Sequence, residues 1–149
     1  EFSRIMSLKD GLKKMSKSEI SDLSRINLTD GKDQIMNKIK KAKTDPLPIP
    51  STIEELNKRP EAKNLIGIYS SLTKLTLESS LKEFSGKNFS EFKENLSQVL
   101  VDKISPISSE ITKLLNEKEY LDKILLEGCQ KANEIASLKL KKIHEIVGF

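Results

Sequence analysis

From residue 30 to residue 147 the apolar residues recur every three or four positions, and no stretch there alternates with the period of two that a half-buried strand needs. Ile35, Met36, Ile39 and Ala42 make the first stripe, and Leu65, Ile66, Tyr69, Leu72 and Leu75 the next. Leu77, Leu81 and Phe84 follow, then Phe92, Leu96, Val99 and Leu100. Ile107, Ile111, Leu114 and Leu115 resume the pattern, and Tyr120, Leu121, Ile124, Leu125, Ile135, Leu140, Ile143 and Val147 close it. Each stripe is the core-facing side of a helix. The spacing therefore predicts an all-α fold, a helical bundle over residues 29–149. With no Trp and few other aromatics, its core must rest mainly on Leu and Ile.

The breaks between stripes are also legible. Asp30 is placed to cap a helix running to about Lys43. The run TDPLPIP at residues 44–50 ends that helix, because proline fixes φ and lacks an amide donor. Ser51 with Glu54 forms a capping-box pattern, Pro60 suits a first helical turn, Thr76 caps the next helix and Gly86 supplies a left-handed stop. Asn88 with Glu91 opens another helix, Pro106 should kink or interrupt it, and Gly148 stops the last one. The first 28 residues read differently. Residues 3–8 (SRIMSL) form a short strand, Asp10-Gly11 a turn, and residues 12–28 an exposed loop with room for a brief helical turn. A strand without a partner leaves its backbone groups unpaired, so it belongs with a sheet made elsewhere. The chain opens on Glu1-Phe2 rather than Met, the two residues being native or left by cloning. It is accordingly expected to be a piece of a longer protein, with residues 1–28 poorly ordered or held only by local contacts.

Composition narrows the function classes. A net charge of +4 and a pI of about 9.0 accommodate a polyanionic partner without demanding one. Cys129 is the only cysteine and His144 the only histidine, which leaves no intrachain disulfide and no material for a thiolate zinc site. Scattered Asp and Glu show no metal-ligand spacing, so no protein-bound metal is expected. Cys129 reads as a buried small residue and His144 as a helix-end residue. No apolar run has the length of a membrane span, and no membrane partner is expected.

Residues 14–18 read Lys-Met-Ser-Lys-Ser, which is similar to the KMSKS signature of class I aminoacyl-tRNA synthetases. The chemistry explains the residue types. Amino-acid activation expels pyrophosphate, and negative charge grows on that leaving group. Two ammonium groups on flexible stems, with hydroxyl and backbone donors beside them, can follow the charge as it moves. A loop is needed because the cations must close on ATP and then release product.

The flanking segments extend the resemblance. RIMSLKDGLKKMSKS at residues 4–18, SDLSRINLTD at 21–30 and the spaced pattern from Ile35 to Asp45 resemble tryptophanyl-tRNA synthetases. NKRPEAKNLIGIYSSL at 57–72, EFSGKNFSEFKENL at 83–96, PISSEI at 106–111, LDKILLEGCQKANEIA at 121–136 and IHEIVGF at 143–149 continue it. Where that family carries Asp then Pro after the signature, Glu19 and Ile20 stand here. The resemblance implies that residues 1–28 are the end of a Rossmann-type catalytic domain with the KMSKS loop, and residues 29–149 a helical tRNA anticodon-binding domain. It implies part of a tryptophan–tRNA ligase, inactive alone, whose ATP site includes Lys14, Met15, Ser16, Lys17 and Ser18, with Lys14 and Lys17 catalytic. ATP with its Mg2+, tryptophan and tryptophan tRNA would be partners of the full enzyme. That enzyme would be a cytoplasmic homodimer, with the mitochondrial matrix as the alternative compartment and a monomeric state for the fragment. Lys38, Lys40, Lys41 and Lys43 are expected to form a basic face for tRNA, Lys139, Lys141 and Lys142 a second cluster, and Arg25, Asn27 and Arg59 are candidates near element ends. Each of those last three is more readily a cap or a surface ion pair. A stand-alone, non-catalytic helical RNA-binding module is the alternative function.

Overall fold

A computed structural model describes residues 4–148; Glu1, Phe2, Ser3 and Phe149, and with them the start of the expected strand, lie outside the described residues. Within that range the fold is all helical: α1 (Lys32–Lys40), α2 (Ile53–Asn57), α3 (Pro60–Thr73), α4 (Leu77–Phe84), α5 (Phe89–Asn116) and α6 (Lys118–Val147), with a single 3-10 turn at Asp22–Ser24. The expected strand is reduced to one antiparallel bridge between Met6 and Lys14. The chain forms two compact units, divided after Ser109.

The helix ends follow local chemistry, with two shifts from the sequence reading. Asp30 does not cap α1: the N-cap is Gly31, whose amide donates to Gln34 Oε1 at 2.9 Å. The Asp30 carboxylate turns inward instead. The box before α2 sits one residue later than expected, with Thr52 Oγ1 accepting the Glu55 amide at 3.2 Å. Pro60 is the first residue of α3, Thr76 caps α4 through the Ser79 amide, and Asn88 Oδ1 accepts the Glu91 amide at the start of α5. Gly86 and Gly148 take the left-handed conformation at φ 77° and 82°. Pro106 lies inside α5, which continues through it to Asn116. The proline has no amide to return to the Asp102 carbonyl, yet the helix is not ended there.

The core of the first unit sits between α1, α3, α4 and the first half of α5. Phe84 and Phe92 are almost wholly buried and meet edge to face at 5.0 Å, with Tyr69 at 5.0 and 5.8 Å from them. Such pairs contribute about 0.5–1.5 kcal/mol each beyond area burial. The inner face of α1 is Ile35, Lys38 and Ile39, continued just past its end by Ala42, while Met36 is 44% exposed. The face keeps its helical period, but a lysine occupies the place expected for the methionine. All buried apolar residues among those described lie between Leu8 and Ile104.

The second unit contains the end of α5 and all of α6. No residue of α6 is buried. Ile124, Leu125, Ile135, Leu140, Ile143 and Val147, read from the sequence as core, are exposed, and so is Cys129. A periodic stripe specifies that one side of a helix is apolar; it does not specify what covers that side.

Candidate functional site

The segment carrying Lys14 to Ser18 is a hairpin-like loop whose stem is tied to helices distant in sequence. Its own closure uses Ser7 N–H to the Lys13 carbonyl (2.8 Å) and Met15 N–H to the Ile5 carbonyl (3.1 Å). Asn64 on α3, only 2% exposed, grips the Met6 backbone on both sides: its Oδ1 accepts the amide and its Nδ2 donates to the carbonyl, each at 2.8 Å. A side-chain amide thus satisfies the backbone groups that a neighbouring strand would otherwise pair. Leu8 is 2% exposed within the core, its amide donating to the Ser24 carbonyl and its carbonyl accepting the Lys43 amide. Residues 4–28 are therefore not held by local contacts alone, because a buried leucine, a backbone bond from Lys43 just past α1 and the Asn64 side chain on α3 hold them.

Gly11 forms the tip of the turn and packs on the first turn of α3. A Cβ built there would lie 2.6 Å from the Glu61 nitrogen, 2.6 Å from the Pro60 carbonyl carbon and 2.8 Å from the Pro60 oxygen. The sequence signalled a turn at this position but not the close approach, which involves residues some fifty positions onward. Glu61 beside it pairs with Lys43 at 2.8 Å. The Lys43 ammonium holds the Glu61 carboxyl below its ordinary range, and Glu61 in turn raises Lys43.

Beyond the stem, Lys14 and Lys17 are exposed, while Met15 is partly buried and packs on the core. The Ser16 and Ser18 hydroxyls lie 2.9 Å apart, and the Ser18 amide donates to Ser16 Oγ at 3.3 Å. Met15, Ser16 and Lys17 form one side of a cleft of about 500 Å³, and Arg25, Ile26, Asn27, Leu28 and Thr29 complete it. The loop thus presents two solvated cations and two hydroxyls near an open cleft, donors suited to phosphate oxygens. Among the described residues no group of three or more His, Cys, Asp or Glu could hold a metal ion. No described helix is long and apolar enough to cross a membrane.

The expected basic face on α1 is divided. Lys40 and Lys41 are exposed, and Lys43 is exposed but paired with Glu61. Lys38 is buried, its ammonium 2.6 Å from both Asp22 Oδ2 and Asp30 Oδ2, so it does not stand on an exposed face. Such a cation is placed inward only because two carboxylates meet it there. Hydrogen bonding from Lys38, then from Asn27, holds the Asp22 carboxyl below its ordinary value. Arg25 lies in the cleft, bonded to Asn27, to the Glu19 carbonyl and to Asp22. Arg59 forms a two-point pair with Asp45, donates to the Leu47 and Pro48 carbonyls and lies over the Phe89 ring. That pair, led by the Arg59 hydrogen bond, depresses the Asp45 carboxyl. Arg59 locks the proline-rich connection between α1 and α2. Lys139, Lys141 and Lys142 are exposed on α6. Asn64, Asp22 and Asp30 carried no functional signal in the sequence; a lone asparagine inside the apolar run of α3 was the one available hint.

Comparison with known proteins identifies the lineage. The chain is 48% identical over 146 residues to a tryptophan–tRNA ligase of Mesorhizobium japonicum, covering 98% of this chain and 41% of that protein. It is 49% identical over 147 residues to the tryptophan–tRNA ligase of Rickettsia conorii, covering 99% and 44%. The chain thus spans less than half the length of these relatives. A crystal structure of tryptophanyl-tRNA synthetase from Mycoplasma pneumoniae superimposes with a TM-score of 0.60 at 29% identity, over 74% of this chain and 35% of that one. The Campylobacter jejuni tryptophanyl-tRNA synthetase shares the fold at a TM-score of 0.72 and 21% identity, over 99% and 44%. Residues 2–105 match the family described as tRNA synthetases class I (W and Y). The chain belongs to the class I tRNA synthetases of the tryptophan and tyrosine group.

Proposed function

We propose that this chain is the part of a tryptophan–tRNA ligase that carries the phosphate-binding lysine loop and the helical domain that meets tRNA. The observation that carries the reading is the placement of Lys14 and Lys17 on an exposed loop beside a cleft, in a chain nearly half identical to ligases of that name. In this reading residues 1–28 close a catalytic domain and residues 29–149 form the tRNA-binding domain of a cytoplasmic homodimer. Lys14 and Lys17 swing onto the ATP phosphates and follow the charge that accumulates on departing pyrophosphate. Ser16 and Ser18 exchange their mutual hydrogen bond for phosphate oxygens, and Met15 anchors the loop while its end faces the nucleotide. Magnesium arrives with ATP. The exposed cations Lys40, Lys41, Lys139, Lys141 and Lys142 contact the tRNA backbone by charge. The 149-residue chain alone does not activate tryptophan.

Tryptophan-dependent pyrophosphate exchange tests the reading. The 149-residue chain should show none. In the full-length enzyme, Lys14→Ala and Lys17→Ala should each lower kcat about a hundredfold, as loss of one donor to developing charge does. Exchange at the unsubstituted rate in the double variant would refute the assignment.

A further inference from the structure

A line of charge-assisted bonds connects the inner face of α1 to the end of the lysine loop. It starts at Lys38, 3% exposed, between Asp22 and Asp30. Asp30, also 3% exposed, accepts the Asn27 amide at 2.8 Å and Asn27 Nδ2 at 3.3 Å. Asp22 accepts Asn27 Nδ2 at 2.9 Å and faces Arg25 at 3.0 Å. Arg25 also donates to Asn27 Oδ1 at 3.2 Å and to the Glu19 carbonyl at 2.9 Å. Glu19 directly follows the lysine signature, and Arg25 and Asn27 line the same cleft as Ser16 and Lys17.

The charges explain the order of the line. Two carboxylates and two cations balance. Without the Lys38 ammonium, Asp22 and Asp30 repel one another, and their charge pulls on Arg25, which already pairs with Asp22. Drawn toward that uncompensated charge, its rigid fork leaves the orientation in which it holds the Glu19 carbonyl. We propose that Lys38 is a positioning residue for the lysine loop, acting through Asp22, Asp30 and Arg25, which grips the Glu19 carbonyl where the loop ends. The inference rests on the function proposed above and deepens it. The loop's cations act on ATP, so a loosened loop end damages use of ATP and leaves the tryptophan site alone.

The test is Lys38→Met in the full-length enzyme, read by pyrophosphate exchange with ATP and tryptophan varied separately. A misplaced loop end should raise the KM for ATP or lower kcat/KM for ATP by about tenfold, inside the range that small misplacements cause. The KM for tryptophan should stay within about twofold of the unsubstituted value, because the tryptophan subsite is untouched. Arg25→Met removes the grip on the Glu19 carbonyl while leaving both Lys38 ion pairs, so it serves if Lys38→Met does not fold, and the same ATP-selective change is expected. An unchanged ATP response in a folded variant overturns the proposal. An equal loss toward ATP and tryptophan with a lowered melting temperature marks a purely structural role and also overturns it. Lys14→Ala and Lys17→Ala run alongside separate the two ideas. If they lose nothing, the reading of the loop fails; if they lose exchange while the Lys38 and Arg25 variants keep it, only the present inference fails.

Discussion

Replacing Gly11 by alanine sets two physical effects of opposite sign against each other. The φ of Gly11 is not positive, so alanine can adopt the backbone conformation without strain. On chain entropy alone, Gly→Ala at such a site stabilises a protein by about 0.4–1 kcal/mol, because the unfolded chain has fewer states to lose. Space argues the other way. Ordinary contacts between carbon atoms fall at about 3.5–4.0 Å, and the added Cβ would sit 2.6 Å from two backbone atoms of Pro60 and Glu61. Those atoms belong to the first turn of α3 and cannot rotate aside as a side chain would. Either the turn or the helix end must shift by roughly an ångström, and forced overpacking of that kind costs about 1–3 kcal/mol. We expect a net loss of about 1–2 kcal/mol for Gly11→Ala, the steric cost reduced by the entropic gain. Urea denaturation of the chain measures it. Gly128→Ala is the internal control: nothing lies within 4 Å of its added Cβ, and it sits inside α6. Alanine there should stabilise the helix by about 0.8–1 kcal/mol and raise its helicity by circular dichroism. A Gly11→Ala protein as stable as the parent, or more stable, would show that the loop and α3 do not approach this closely.

Three other outcomes follow from single contacts. Asn64→Ala strips the Met6 amide and carbonyl of their side-chain partners and should cost about 1–3 kcal/mol; hydrogen exchange at Met6 should quicken, and unaltered exchange counts against the clasp. Ser80 is fully buried and its hydroxyl has no partner among the described residues, so Ser80→Ala should be neutral or stabilising by up to about 1 kcal/mol, and a clear loss in thermal melting refutes that. The carboxyls of Asp22, Asp45 and Glu61 are all held below their ordinary values of 3.8, 3.8 and 4.5. The folded state binds those protons less readily, so the stability they contribute is complete above that range and is lost as the pH falls through their depressed values. Asp45→Asn should flatten the acid limb of a stability-against-pH curve, and an unchanged limb would remove Asp45 from the account.

The candidate loop was legible because its signal is local: five consecutive residues and their flanks, independent of packing. Its surroundings were not. The cleft wall from Arg25 to Thr29 reads as ordinary polar loop until Asp22, Asp30 and Lys38 are brought together. Lys38, Lys40, Lys41 and Lys43 suggest one basic face because they are neighbours in sequence. A helix separates neighbours by about 100°, and only the three-dimensional arrangement reveals which of them turns inward.

Helical class, most helix ends and the lysine signature were determined by the sequence alone. They depend on residues one to four positions apart, where periodicity, capping side chains and proline or glycine backbone preferences operate directly. The tertiary structure decided the rest. It made Leu8 part of the core, turned Asp30 from a cap into a buried ion-pair partner, set Gly11 against α3 and left the stripe of α6 exposed. Each of these outcomes depends on what packs against a residue from far along the chain, and a local pattern carries no information about its distant partner.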